Sequence, residues 1–476
     1  MADYFDIKNN AEQMSVQNYA RSDVINGVMH LGVGAFHRAH QAVFFDRLLA
    51  HSEGYKWGIV GVNLRAQDRP SFSQLETQKG EYILKTMSAD ADIEYEYIRS
   101  IVGLIDGSST PQKVDDLMAS QAIQLVTFTV TEGGYYLDEN KMLMLDHPLI
   151  KEDLKGERNT LYAFLYAGLK QRSQLINGKI TLLSCDNLRH NGQLLKAGLI
   201  QFLKAKNENE LISWVESNVS FPCSMVDRIT PQPSQQHIDD VQRRFGIADE
   251  MTVMGEDFIQ WVIEDDFAGE RPPLDKVGVE FVKDVEPYEE AKIRILNAGH
   301  TVMVYQAALK QLTFFDEAMQ DSELKKYFRD FILQDSIPAI GQSMVDLSAY
   351  SKVIERRFSN ANIGDTVERI CTDGYAKFSI FVYPTLDAIF RLGGVPHKTI
   401  AGIASWFVFM NKVANGELNI PYHEPNLDKL HEFSNDESGI NAFVMDSFLW
   451  KNVPSDFPDF AVHLRSAIEL EQKKYP

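Results

Sequence analysis

Cysteine is scarce: Cys185, Cys223 and Cys371 are the whole complement of a 476-residue chain. The three are odd in number, far apart and without a Cys-x-x-Cys pair, so neither a disulfide framework nor a zinc finger is supported. Long apolar runs are missing too, none approaching the ~18 residues that a membrane-spanning helix needs. The stretch from Met1 to Lys8 lacks the basic flank and apolar core of an export signal. These deficits lead us to expect a soluble protein of the reducing cytoplasm, with no membrane partner. Basic residues are the minority, 47 against 67 acidic, giving a net charge of −20. Such an excess opposes attraction to nucleic acid and leaves small-molecule chemistry as the expectation. Internal repeats, low-complexity tracts and sustained heptads are absent as well.

What is present is a globular composition, 44% hydrophobic and 24% charged, with length for about two or three domains. Gly27 to Leu31 reads as a buried strand, Gly32-Val-Gly34 as a turn, and Ala39 to Leu49 as a helix. Glycines there let backbone N–H groups approach a pyrophosphate, and a helix N-terminus adds a positive dipole end. The third glycine of Gly-x-Gly-x-x-Gly is replaced by His37, so a plain tight turn is the competing reading. Lys56 to Leu64 reads as a second strand, followed by Arg65-Ala-Gln67-Asp68-Arg69. Asp68 can hold adenosine ribose hydroxyls, while Arg65 and Arg69 leave NADP open.

Two further β-branched runs, Gln124 to Val130 and Ile180 to Asn187, end in polar turn-formers. Ligands of open α/β sheets bind beyond the carboxyl ends of strands, which places Glu132 and Asn187 where chemistry is expected; capping or an Asx-turn is the alternative. Asp227 beside Arg228 reads as a structural ion pair. From Pro287 the pattern turns helical, so a boundary is expected at residues 1–284 and 285–476, with a cleft between the two parts. Lys292, Asn297 and His300 fall on one expected helix, where ~100° per residue puts His300 ~80° and Asn297 ~140° around from Lys292. A lysine base, an amide donor and an orienting imidazole suit proton transfer at a carbinol oxygen. A solvated helix edge with a satisfied imidazole is the competing reading. Arg369 and Lys377 can reach substrate hydroxyls or a carboxylate, or bind nearby backbone.

Taken together, His-Leu-Gly32-Val-Gly34-Ala-Phe-His-Arg-Ala-His40, Thr131-Glu-Gly-Gly, Ser184-Cys-Asp-Asn187, Met225-Val-Asp-Arg-Ile-Thr-Pro231 and the Lys-x4-Asn-x2-His of Lys292, Asn297 and His300 resemble one family. It is the polyol-specific long-chain dehydrogenases/reductases, the mannitol dehydrogenase family. The resemblance spans about residues 27 to 415. It implies an α/β fold, a Rossmann-like N-terminal domain with a mostly α-helical C-terminal domain. It also implies an NAD-dependent, metal-independent interconversion of a polyol (D-arabinitol or D-mannitol type) and its ketose.

In that family's pattern Lys292 is the general base, Asn187 and Asn297 bind the alkoxide oxygen, and His300 positions substrate. Glu132 and Glu289 are linked to the lysine's proton pathway, and Asp227, Arg369 and Lys377 contact substrate. Gly32, Gly34, Phe36, His37, Arg38 and Asp68 form the cofactor site. Gln67 stands where relatives can carry a second acid, which leaves NADP open beside NAD. The wording around Thr131-Glu-Gly-Gly-Tyr-Tyr-Leu137 and Glu256 resembles the arabinitol branch more than the mannitol branch. The competing readings are a hexuronate reductase and a non-catalytic NAD-binding sensor; a monomer is expected.

Overall fold

The structure, a computed structural model, describes residues 4–5, 13–176, 178–231 and 235–476. The chain divides into two compact units: the residues through Ser88 with Asp92–Glu286, and Ala89–Ala91 with Pro287–Pro476.

The first unit is built on six short, β-branched strands: β1 (Asn26–Leu31), β2 (Gly58–Asn63), β3 (Ile101–Asp106), β4 (Leu125–Phe128), β5 (Ile180–Ser184) and β6 (Val219–Ser220). All pair in parallel, in the order β3-β2-β1-β4-β5-β6. Buried on both faces, they read as continuous apolar runs rather than alternating ones. The direction of winding reverses between β1 and β4, and in a doubly wound sheet the crevice at such a switch point receives the ligand.

Helix follows β1 sooner than the sequence led us to expect. Instead of starting at Ala39 it begins directly after Gly34 as α1 (Ala35–Ala39), bends at His40 (φ −127°, ψ −88°) and continues as α2 (Gln41–Leu49). The early start leaves Gly34 as the helix N-cap, which is the geometry a phosphate-facing turn requires.

Two smaller sheets complete this unit; the strands Tyr82–Met87 and Ile93–Ile98 of one of them are legible in the sequence as runs at 82–85 and 94–98. Val253–Glu256 pairs in parallel with Tyr82–Met87, and Ser224–Asp227, Gln260–Glu264 and Glu280–Val282 form a three-stranded sheet. The segment before Asn26 also contributes to the fold. Ser15–Val16 adds to the strand Ile93–Ile98, and Arg21, 5% exposed, pairs with Glu81.

The second unit is helical, and its core is aromatic. The helix Ala298–Leu309 and the long helix His397–Ala414 pack together, with Trp406 stacked on Phe378 at 4.4 Å and Tyr305 adjoining both. Ala298, Gly299, Ala307 and Ala308 are small and buried, which lets Ala298–Leu309 approach its neighbours closely. No helix among the described residues is long and apolar enough to cross a membrane.

Candidate functional site

In the first unit, everything converges on the carboxyl ends of β1, β4 and β5. Gly32 follows β1 with φ +89°, and its carbonyl is held from two sides: Thr129 Oγ1 donates at 2.8 Å, and His30 Nε2 lies at 3.1 Å. Thr127 Oγ1 sits 2.8 Å from His30 Nδ1, so the threonine donates there and the ring carries its proton on Nε2. His37 stacks on His30 at 3.4 Å, and burial pulls the His30 imidazole down to about 3, keeping the pair uncharged.

The turn is therefore fixed from below by neutral side chains. Its upper side is open, since a Cβ built on Gly34 meets nothing within 4 Å. That open glycine, the N-cap and the switch-point crevice fit the pyrophosphate of a dinucleotide. Of the residues the motif singles out, Phe36 remains partly exposed, whereas the side chains of His37 and Arg38 face inward. Arg38 donates to the carbonyl of Met251 and lies over the Tyr82 ring, and burial lowers its pKa.

At the end of β2, Asp68 closes the 3-10 turn Ala66–Asp68 and takes a 2.7 Å bond from Arg65 Nε. Arg69 pairs with Glu76 at 2.7 Å and with Asp106 at 3.5 Å. Both guanidiniums beside Asp68 are thus engaged by carboxylates.

Beyond β4 and β5, Glu132 and Asn187 sit exposed on adjacent loops. Asp186, which sequence reasoning passed over in favour of its neighbour, joins those loops. Its carboxylate accepts the N–H groups of Val130 (3.2 Å) and Thr131 (2.8 Å) and the Tyr135 hydroxyl (2.9 Å). These bonds hold Thr131 at φ +64°, a costly conformation for a β-branched residue. Burial raises the Asp186 carboxyl to about 6, and the nearby Glu132 adds to that rise. A buried acid at the strand end was the available signal, but only the tertiary contacts identify it as a brace.

Asp227 lies on the strand Ser224–Asp227 at 5% exposure. The expected ion pair with Arg228 does not form. Arg228, the first residue past the strand, donates instead to the carbonyls of Glu256 (2.7 and 3.0 Å) and Ala39 (2.6 Å).

In the second unit the expected single helix is interrupted. α3 (Glu286–Ala291) and α4 (Ala298–Leu309) flank a π-helical segment, Lys292–Asn297, in which Ala298 N–H donates to Ile293 O. An i→i+5 turn is wider than an α turn, so Asn297, five residues on, returns close to the side of Lys292 rather than ~140° away. Lys292 is 8% exposed and Glu289 4%.

His300 stacks on Phe358 at 4.7 Å and meets Phe315 edge-on at 4.1 Å, so its ring is enclosed although the residue keeps some exposure. Burial pulls the imidazole down to about 3; Asp365 opposes that, and Arg369, Lys377 and Arg357 reinforce it. His300 is consequently expected to stay neutral from pH 5 to 9, showing no inflection in an imidazole NMR titration. A resonance that moves with a midpoint near 6.5 contradicts this environment. The sign for stability follows: with a folded value below the unfolded one, the contribution is present above pH ~6.5 and is lost as pH falls towards 3.

The same charges place Arg369 and Lys377 around His300. Arg369 is bidentate to Asp365 at 2.6 and 2.5 Å, and Lys377 Nζ donates to Ile370 O at 2.9 Å. Each cation thus has an acceptor within the protein, a backbone carbonyl for Lys377 and a carboxylate for Arg369. Burial, the largest influence, lowers the Lys377 pKa.

The comparisons with known proteins extend over nearly the whole chain. The family model of the mannitol dehydrogenase Rossmann domain matches residues 26–276, and that of the mannitol dehydrogenase C-terminal domain matches residues 284–468. A D-arabinitol 4-dehydrogenase of Ralstonia nicotianae is 40% identical over 440 residues, 92% of this chain and 94% of that protein. One of Klebsiella pneumoniae is 36% identical, over 92% of this chain and 97% of that protein. Among solved structures, Pseudomonas fluorescens mannitol 2-dehydrogenase, in ternary complex with NAD and D-mannitol, superposes with a TM-score of 0.84 at 33% identity. That match covers 97% of this chain and 96% of the other. With both halves of the chain matched in order and the glycine turn and buried lysine segment in place, the chain belongs to the mannitol dehydrogenase family.

Proposed function

We propose that this protein catalyses the reversible, NAD-dependent and metal-independent oxidation of a polyol, of the D-arabinitol or D-mannitol type, to its ketose. The observation that carries the reading is the buried Lys292 on a wide turn that brings Asn297 round towards it, in a chain 40% identical to a D-arabinitol 4-dehydrogenase.

Lys292, as the neutral amine, takes the proton of the reacting hydroxyl. Asn187 and Asn297 donate side-chain N–H groups to the oxygen as its negative charge grows, which favours the transition state over bound substrate. When bound, nicotinamide supplies the acceptor for the hydride leaving the same carbon. Glu132 and Glu289 pass the lysine's proton to water. His300, uncharged, orients a neighbouring hydroxyl, and Asp227, Arg369 and Lys377 hold the remaining carbinols. Proton, hydride and carbonyl balance without a metal, so dialysis against a chelator leaves the rate unchanged.

Cofactor choice falls on Asp68. A carboxylate there accepts both ribose hydroxyls and repels a 2′-phosphate; Arg69 is held by Glu76 and Asp106, while Arg65 pairs with Asp68 itself and leaves NADP open. Asp68→Ser is expected to raise the NADP-to-NAD ratio of kcat/KM about tenfold, the equivalent of relieving ~1.4 kcal/mol of like-charge repulsion. An unchanged ratio removes Asp68 from the cofactor site. The whole reading is tested by initial rates with NAD and NADP on D-arabinitol, D-mannitol, D-sorbitol and xylitol. Turnover of fructuronate alone, or cofactor binding with no turnover of any polyol, overturns it.

A further inference from the structure

The second unit contains three π-helical segments, and one guanidinium ties them together. Besides Lys292–Asn297 they are Ile332–Ser336, where Ile337 N–H donates to Ile332 O, and Phe378–Val382, where Tyr383 N–H donates to Phe378 O. The first segment packs against both others.

Arg294, midway along the first, has a side chain only 15% exposed. Its Nε donates to Glu290 Oε2 at 2.5 Å, one turn back. Its Nη1 donates to Ala339 O at 3.2 Å, just past the second segment, and to Pro384 O at 3.3 Å, just past the third. In return Ser336 Oγ donates to the carbonyl of Arg294 at 2.9 Å. Ala339 lies in the last turn of the short helix Ile337–Ile340, where carbonyls lack partners within the helix.

We propose that Arg294 is a positioning residue for the reaction, one that touches neither substrate nor cofactor and fixes the π register of Lys292–Asn297. The proposal rests on the reading of Lys292 as base. Wide turns of this kind are rare and survive where surrounding contacts over-determine them. Without the guanidinium, the segment gains by relaxing to α geometry. Relaxation swings Asn297 to ~140° from Lys292, so amine and amide no longer share one side. A displacement on that scale costs of the order of 10²-fold in turnover.

The test is Arg294→Met in the full chain, with kcat, the KM for each substrate, NAD affinity and thermal midpoint measured together. A fall in kcat of ~10–100-fold with NAD affinity within about twofold is expected, together with partial recovery of kcat on adding guanidinium ion. Arg294→Lys, which keeps charge but not the fork, is expected to fall between the two. A kcat within twofold of wild type overturns the proposal. So does a loss shared equally by NAD affinity and thermal midpoint, with no guanidinium response, since that is a purely structural effect.

If Arg294→Met does not fold, Glu290→Gln, which weakens the hold on Nε alone, is measured by the same split and judged by the same outcomes. Failure of the base reading is distinguishable, because it appears as wild-type turnover in Lys292→Ala. In that event the positioning role falls with the base reading, and the crystal structure of Arg294→Met decides what remains: loss of the bond from Ala298 N–H to Ile293 O supports the hold of Arg294 on the π register, and its retention overturns that too.

Discussion

Lys292→Ala is expected to lower turnover by ~10²–10⁴-fold, the range for removing a positioned general base, while NAD affinity stays within about twofold. The split follows from where the residue stands. Lys292 belongs to the second unit, whereas the glycine turn and Asp68 belong to the first, so deleting its amine leaves the nucleotide-holding residues intact. Its acceptor role is exercised only as the hydroxyl proton departs, so the loss falls on kcat rather than on substrate affinity. Small primary amines added to the alanine variant are expected to restore part of the rate, more effectively as their basicity rises. Wild-type turnover in Lys292→Ala, or a loss confined to KM, removes Lys292 from the proton transfer.

The second large effect is a contrast between two glycines of one turn. Gly32→Ala is expected to destabilise the first unit by ~2–4 kcal/mol and to weaken NAD binding with it. Gly34→Ala is expected to leave stability within ~0.5 kcal/mol yet weaken NAD binding tenfold or more. At Gly32 the backbone sits at φ +89°, and a Cβ would lie 2.3 Å from the carbonyl oxygen of Thr129. That oxygen is main chain and cannot rotate aside, and the Gly32 carbonyl is pinned by Thr129 and His30, so the turn has no room to yield. At Gly34, φ is −82° and no atom lies within 4 Å, so the added methyl harms only what occupies the space above it. Denaturant unfolding and NAD titration of both variants decide the matter. Equal stability of the two variants contradicts the strain at Gly32, and wild-type NAD affinity in Gly34→Ala contradicts the pyrophosphate cradle.

Much of the first unit was legible residue by residue. The dense β-branched runs became β4 and β5, the glycine turn followed its strand, and Asp68 fell at the end of the next. What escaped was whatever depends on partners distant in the chain. Val253–Glu256 is a strand because it pairs with Tyr82–Met87, about 170 residues earlier, and nothing in its four residues announces that. Arg228 looked like the partner of Asp227 because they adjoin in sequence, yet the carbonyls of Ala39 and Glu256, distant in the chain, take up its guanidinium. Asp186 was in view beside Asn187, but its role as a brace required the loops of two strands to meet. Spacing singled out the candidate lysine, amide and imidazole, though the angular relation it gave assumed α periodicity where the chain adopts a π turn.

The sequence by itself determined the identities and order of the chemical groups: a glycine turn after a buried strand, an acid after the next, and a Lys-x4-Asn-x2-His run opening a helical half. These are local properties, set by side-chain type and by preferences that act over a few residues. Tertiary structure alone decided the register of the Lys292–Asn297 turn, the inward facing of His37 and Arg38, and the neutrality of His30 and His300. A π bond gains nothing locally over an α bond, and an imidazole loses its charge only when protein replaces water around it. Both outcomes are therefore fixed by packing.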